Sequence, residues 1–242
     1  MIKIENVVLP SPDQWKAIIM GCRNPLNSWE KSDSEIKYEN IRDNEGYFKI
    51  GDNDLSLMKR LSKAGTDHRK FMRMIPVFLD ITAPTYWWAE FDTYKIATVR
   101  NSCSFMHKGV STPFKIDDFS IKNKQIYNIL RPLEEKEYKL TYSDFENNTK
   151  NDFQEALIWG QIIQALNKLR DLYIETKDDK IFQEIRCLLP SGYMQRSTIL
   201  LNYEVLSNMY KSRCNHRLDE WKDFCKWIET LPYSEIITHK GE

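Results

Sequence analysis

From Asp152 onward, Phe153, Ala156, Leu157, Gly160, Ile163, Leu166, Leu169 and Tyr173 recur at three- and four-residue intervals, the spacing of one face of an α-helix. A strand cannot hold that run on one side, because its side chains alternate with a period of two. The carboxyl-terminal half is therefore expected to be helical. A second long helix is predicted to contain Leu200, Leu201, Val205, Leu206, Met209 and Tyr210, and a third to span about 218–229, stopped by Leu231-Pro232.

The amino-terminal half reads differently. Ile2 to Val8 alternates well enough for a strand, and Ser11-Pro12-Asp13 supplies a helix start with proline in the first turn. Residues 24–54 are polar and punctuated by Asn24-Pro25, Lys31-Ser32-Asp33-Ser34 and Asn44-Glu45-Gly46, which reads as a surface excursion with Trp29 buried at one end. Asn53 or Asp54 is expected to cap a helix carrying Leu55, Met58, Leu61 and Ser62, closed by Gly65. The β-branched and aromatic run Ile75 to Ile81 predicts a buried strand ended by Ala83-Pro84. A short aromatic helix over 86–97 and a polar turn over 100–104 follow. Residues 108–150, rich in charge and weak in periodicity, read as a peripheral insertion. The expected class is α+β, a mixed sheet with a helical C-terminal half, in a single domain over 1–242.

Composition narrows the function classes. With 41% hydrophobic residues and only 8 glycines in 242 residues, the chain has material for a core and is not a disordered segment. Lys and Arg total 35 and Asp and Glu total 35, so there is no electrostatic footprint for duplex nucleic acid or an anionic membrane. No run approaches the ~20 apolar residues of a membrane-spanning helix, and the start lacks the layout of a secretory signal, so a cytoplasmic protein is expected. The 5 cysteines are scattered without a C-x-x-C pair, which fits a reducing compartment. Cys214-Asn215-His216 is the nearest approach to a metal signature, and with no second ligand pair at finger spacing no metal is expected.

The most informative stretch is Leu189-Pro190-Ser191-Gly192-Tyr193-Met194-Gln195-Arg196, followed by Asn202, Asn208 and Arg213. On one continuous helix Asn202 and Arg213 would share a stripe about 16 Å long. Such a stripe is either a solvated face or part of a polar site. The order Leu189-Pro190, Arg196, Asn202, Asn208, Arg213 resembles, without a gap, the C-terminal signature of the flavin-dependent thymidylate synthases. Other segments have counterparts in that family in the same order: the opening strand and helix, Gly21-Cys22-Arg23-Asn24-Pro25, Leu61-Ser62-Lys63-Ala64-Gly65 and Ile81-Thr82-Ala83-Pro84.

The resemblance implies that fold, a homotetramer with sites between subunits, and a nucleotide pocket. It places Arg196 and Arg213 on the nucleotide substrate and Asn202 and Asn208 on the flavin side, with His68 as a flavin-contacting histidine. An arginine fork suits a phosphate or a pyrimidine carbonyl because its donors are planar and permanently charged. The family's Arg-His-Arg triplet, however, falls on Thr93-Tyr94-Lys95. Thr98 stands at its first serine, Arg100-Asn101 at its Asn-Glu, Cys103 at its second serine and Phe105-Met106 at its Arg-Tyr. Lys95 and Arg100 are the cations left to compensate for three absent guanidinium groups. Each lost charge-assisted hydrogen bond weakens binding roughly tenfold or more.

Two functional expectations follow. One is a nucleotide-binding protein that methylates dUMP with FAD, NADPH and methylenetetrahydrofolate, in which Arg196, Arg213 and Arg100 hold substrate and Asn202, Asn208, Lys95, Thr98 and His68 hold flavin. The other is an inactive homologue that binds, senses or sequesters a nucleotide. Cys103 has two readings, a nucleophile whose thiol Lys95, Arg100 or His107 would activate, or a small apolar side chain. Trp87-Trp88 likewise reads as a stacking platform or as core.

Overall fold

The computed structural model describes residues 2–40, 45–104 and 110–240; Asn44, Phe105, Met106 and His107 lie outside them. The described residues group into two compact units, one of Met1–Thr82, Glu90–Asn101 and Ser197–Glu242, the other of Ala83–Ala89 and Ser102–Arg196.

The first unit is built on a four-stranded sheet of order β1-β4-β6-β5, with β1 at Lys3–Val8, β4 at Pro76–Pro84, β5 at Val99–Ser102 and β6 at Met194–Asn202. β1 and β4 are antiparallel, with Ile4 opposite Ile81 and Glu5 opposite Asp80, and the register breaks at a bulge where Asn6 has φ 51°. Along β4, Val77, Leu79 and Ile81 point inward while Phe78 remains exposed, so the period-two pattern sets which face carries the core. That core comes from α1 (Pro12–Arg23), α2 (Asp52–Lys63), α8 (Tyr203–Arg213) and α9 (Asp219–Ile228), through Trp15, Ile18, Met58, Leu206, Met209 and Phe224, all essentially buried. The helix start expected at Ser11-Pro12-Asp13 is that of α1, and Ser11 caps it in a capping box with Gln14. α10 (Glu235–Thr238) ends the unit.

Several local expectations are corrected. The excursion over 24–54 contains a hairpin of β2 (Glu35–Asn40) and β3 (Glu45–Lys49). Trp29 is 46% exposed rather than buried, held by its indole N–H donating to Asn24 Oδ1 at 2.6 Å. α2 begins at Asp52 with Gly51 at the cap position, so neither Asn53 nor Asp54 is the cap. The capping is done from outside: the Asp33 carboxylate accepts from the N–H groups of Asn53 at 2.9 Å and Asp54 at 3.1 Å, which frees Asp54 for a buried ion pair. The polar turn over 100–104 is largely strand β5. Leu200 and Leu201 lie in β6, and the helix begins only at Tyr203. Asn202 is its N-cap, so it shares no continuous helix with Arg213, and the proposed stripe does not exist.

The second unit is mainly helical: α3 (Thr85–Phe91) enters it, and α4 (Lys124–Leu130), α5 (Tyr142–Glu146), α6 (Lys150–Thr176) and α7 (Asp179–Leu188) complete it. The predicted long helix is α6, with Ala156, Gly160, Ile163 and Leu166 buried. Gly160 allows a close approach, since a Cβ there would stand 3.3 Å from the Tyr138 carbonyl. The segment 108–150, expected at the periphery, supplies Phe114, Ile116, Phe119, Ile126 and Leu130 to the core against α6 and α7. Ile116 lies in a single turn and Ile126 and Leu130 in the 7-residue helix α4, stretches too short for a helical period to betray them. Trp87 and Trp88 are buried in an edge-to-face pair, and the Trp88 N–H donates to the Gln195 carbonyl at 2.9 Å. That is core packing and not a stacking platform.

Candidate functional site

In the first unit Arg213, in the last turn of α8, is the centre of a polar cluster. Its Nη1 meets Glu90 Oε2 at 2.6 Å and its Nε donates to the Tyr94 hydroxyl at 3.1 Å. The guanidinium lies 4.9 Å from the Trp221 ring centroid, a cation–π geometry, and His216 Nε2 is 3.0 Å from Nη1. The Trp221 indole N–H donates to the same Glu90 oxygen at 2.8 Å. Trp221 is fully buried in the first turn of α9 while Arg213 stays 20% exposed, so a rigid aromatic floor holds a charge that still reaches solvent.

A second cluster surrounds Glu204, in the first turn of α8 and 2% exposed. Arg69 Nε reaches Glu204 Oε1 at 3.2 Å, Arg73 pairs with the other oxygen, and Arg69 Nη2 donates to Asn208 Oδ1 at 2.9 Å. Burial pushes the Glu204 carboxyl up, but the hydrogen bonds and charges of Arg73 and Arg69 outweigh it and hold it below its ordinary value.

The remaining expected residues are dispersed. Asn202 is 3% exposed, its Oδ1 caps α8 by accepting from Val205 N–H at 3.1 Å, and its Nδ2 is buried without a partner. Among the described residues no hydrogen bond joins Arg213 to Asn202 or Asn208. Arg100 donates to Ser197 Oγ at 2.9 Å and to Asp92 Oδ2 at 2.6 Å. Lys95 and His68 are exposed, and Thr98 has its hydroxyl buried without a hydrogen-bond partner. In the second unit Cys103 and Arg196 are exposed and joined through the main chain, Cys103 N–H donating to Arg196 O at 2.9 Å. Among the described residues no group of three or more His, Cys, Asp or Glu gathers for a metal.

Glu90, Trp221, Arg69, Arg73 and Glu204 were not legible as site residues. Only Tyr94, within the triplet positions, carried a signal. The first unit also holds a cavity of about 310 Å³ beside Lys16, Met20, Ser34 and Phe48, and the second one of about 550 Å³ beside Phe114, Tyr138, Asn167 and Lys168. Neither is lined by an expected site residue. No described helix is long and apolar enough to cross a membrane.

No protein-family model and no curated protein matches the chain. Solved structures do. The chain is similar to a structure of flavin-dependent thymidylate synthase ThyX from Helicobacter pylori complexed with FAD and dUMP, with a TM-score of 0.61 and 16% identity over 99% of this chain and 97% of that one. A second ThyX structure from Helicobacter pylori, with FAD and dUMP, gives a TM-score of 0.61 and 14% identity over 99% and 98%. The chain therefore has, over almost its whole length, a fold like that of the ThyX flavin-dependent thymidylate synthases.

Proposed function

We propose that the protein binds a pyrimidine nucleotide on a ThyX-like fold without carrying the synthase's flavin chemistry. The observation that supports nucleotide binding is the full-length likeness to ThyX complexed with dUMP, together with arginines at the four-residue C-terminal pattern. Arg213 is the residue we assign to the ligand, held on Trp221 and partly open to solvent.

The residues present do not fit FAD. A flavin dinucleotide carries a pyrophosphate that needs several cationic or N–H donors. Of the five positions assigned to it, the Asn202 amide is buried in a cap, the Asn208 carbonyl is taken by Arg69, and the Thr98 hydroxyl is buried. Lys95 is the one permanently charged group among them. Where the resemblance puts the family's Arg-His-Arg, the chain carries Thr93-Tyr94-Lys95. No step is therefore assigned to FAD, NADPH or a folate, and Cys103 is given no catalytic role.

The proposal includes self-association into a homotetramer. It is supported by exposed apolar side chains on the sheet, the paired Val8 and Phe78 at 57% and 45% and Val99 on the far strand at 60%, which another copy would cover. Light scattering on the purified chain measures it.

Titration calorimetry with a panel of pyrimidine and purine nucleotides tests the binding. Retention of a pyrimidine nucleotide by a colourless protein is the expected result. A yellow protein with flavin absorbance would favour the synthase reading, and the absence of any nucleotide binding would remove both.

A further inference from the structure

The chain already places an anion on Arg213. Glu90 Oε2 takes its Nη1 at 2.6 Å and the Trp221 N–H at 2.8 Å, while Nε is committed to the Tyr94 hydroxyl. Among the described residues, Arg213 Nη2 donates no hydrogen bond and Glu90 Oε1 accepts none. The two side chains are 20% and 33% exposed. The pair thus keeps one donor and one acceptor unused while its charges cancel. His216 Nε2, 3.8 Å from Glu90 Oε2, and the Tyr94 hydroxyl are the other titratable groups facing the pair.

A phosphate approaching Arg213 would meet the Glu90 carboxylate, and two anions on one guanidinium repel. An uncharged planar edge with an acceptor beside an N–H donor meets no such penalty. It accepts from Arg213 Nη2 and donates to Glu90 Oε1, and both hydrogen bonds are charge-assisted. Resting on the nucleotide-binding reading, we propose that Glu90 is a selectivity residue: it occupies Arg213 as an internal anion, turns away phosphate, and leaves the Arg213–Glu90 pair to read the amide edge of a pyrimidine base. Glu90 fits this role because Trp221 fixes it from a fully buried position, so it cannot swing away at little cost when a competing anion arrives.

The test compares the full-length chain with Glu90→Gln and with Glu90→Gln/Arg213→Gln, using inorganic phosphate and deoxyuridine as separate probes in calorimetry. Glutamine keeps the shape and one acceptor oxygen for Trp221, removes the charge, and puts an NH2 donor where the second carboxylate oxygen stood. Glu90→Gln should gain about tenfold in phosphate affinity, the double variant should lose that gain, and deoxyuridine should bind Glu90→Gln about tenfold more weakly. Glu90→Ala provides a second variant with the same expected phosphate gain. Unchanged phosphate affinity in both single variants, or a gain that survives removal of Arg213, overturns the role of Glu90. The nucleotide reading fails separately, by absence of deoxyuridine and dUMP binding in the unmodified chain, and the phosphate result then still decides what Glu90 does.

Discussion

Arg23 and Asp54, 31 residues apart, meet at 2.5 Å with side chains 4% and 1% exposed. Several neighbouring donors and acceptors are turned to the pair. Asp54 Oδ2 accepts from Ser32 Oγ at 2.8 Å and from the N–H groups of Asp33 and Ser34, and Arg23 donates to the carbonyls of Ser28 and Lys31. The ion pair thereby ties the end of α1 and the loop before β2 to the first turn of α2.

Removing one partner leaves the other charge buried and unpaired. Asp54→Ala should cost about 3–5 kcal/mol of stability, read as a lowered urea midpoint at an unchanged slope. A loss under about 1 kcal/mol would mean that the pair is as dispensable as a surface one.

Acid should undo the same contact. Burial pushes Asp54 up, but the hydrogen bonds from Ser34, Ser32 and Arg23 and the charge of Arg23 hold it below its usual value, and Glu204 is held down in the same way by Arg73 and Arg69. A carboxylate whose folded pKa is depressed gives stability that is complete above its unfolded pKa, about 4, and that is lost as pH falls through the folded value. Urea midpoints measured from pH 7 down to pH 3 should therefore fall more steeply for the unmodified chain than for Asp54→Ala. Parallel curves would exclude Asp54 as a contributor.

The cysteines should separate into two kinetic classes. Burial pushes Cys22 and Cys225 up to about 12, whereas Cys103 and Cys187 are exposed. A disulfide reagent at pH 8 should label Cys103 and Cys187 in the folded chain and reach Cys22 and Cys225 only after unfolding. Labelling of Cys22 at the rate of Cys103 would contradict the packing of α1.

Much of this was readable from the chain. Ser11-Pro12-Asp13, the run from Ile75 to Ile81 and the period of α6 each state their structure locally, because cap chemistry and side-chain period act within a few residues. The boundary at Asn202 was not readable. Leu200, Leu201, Val205 and Leu206 fit a helical spacing, and only the pairing of β6 in the sheet turns the first two into strand. Asn53 or Asp54 reads as a cap because the partner of Asp54, Arg23, is remote in sequence, and so is Asp33, whose carboxylate accepts from the first N–H groups instead. The candidate site suffered in the same way. Glu90 and Trp221 reach Arg213 from other elements, and nothing in their own neighbourhoods announces it.

The cap at Asn202 gives a further prediction. Asn202→Ala should cost about 1 kcal/mol, whereas Asn202→Ser keeps an acceptor for the Val205 N–H and deletes the unpartnered Nδ2. The serine variant should be the more stable of the two in urea. Equal losses would show that the amide supports something other than the helix start.

Nucleotide binding at Arg213 is the claim on which the functional account turns, and equilibrium dialysis against labelled dUMP measures it most directly. The unmodified chain should retain the nucleotide, and Arg213→Ala should weaken retention about tenfold or more. No retention by the unmodified chain, or equal retention by both, would contradict the account.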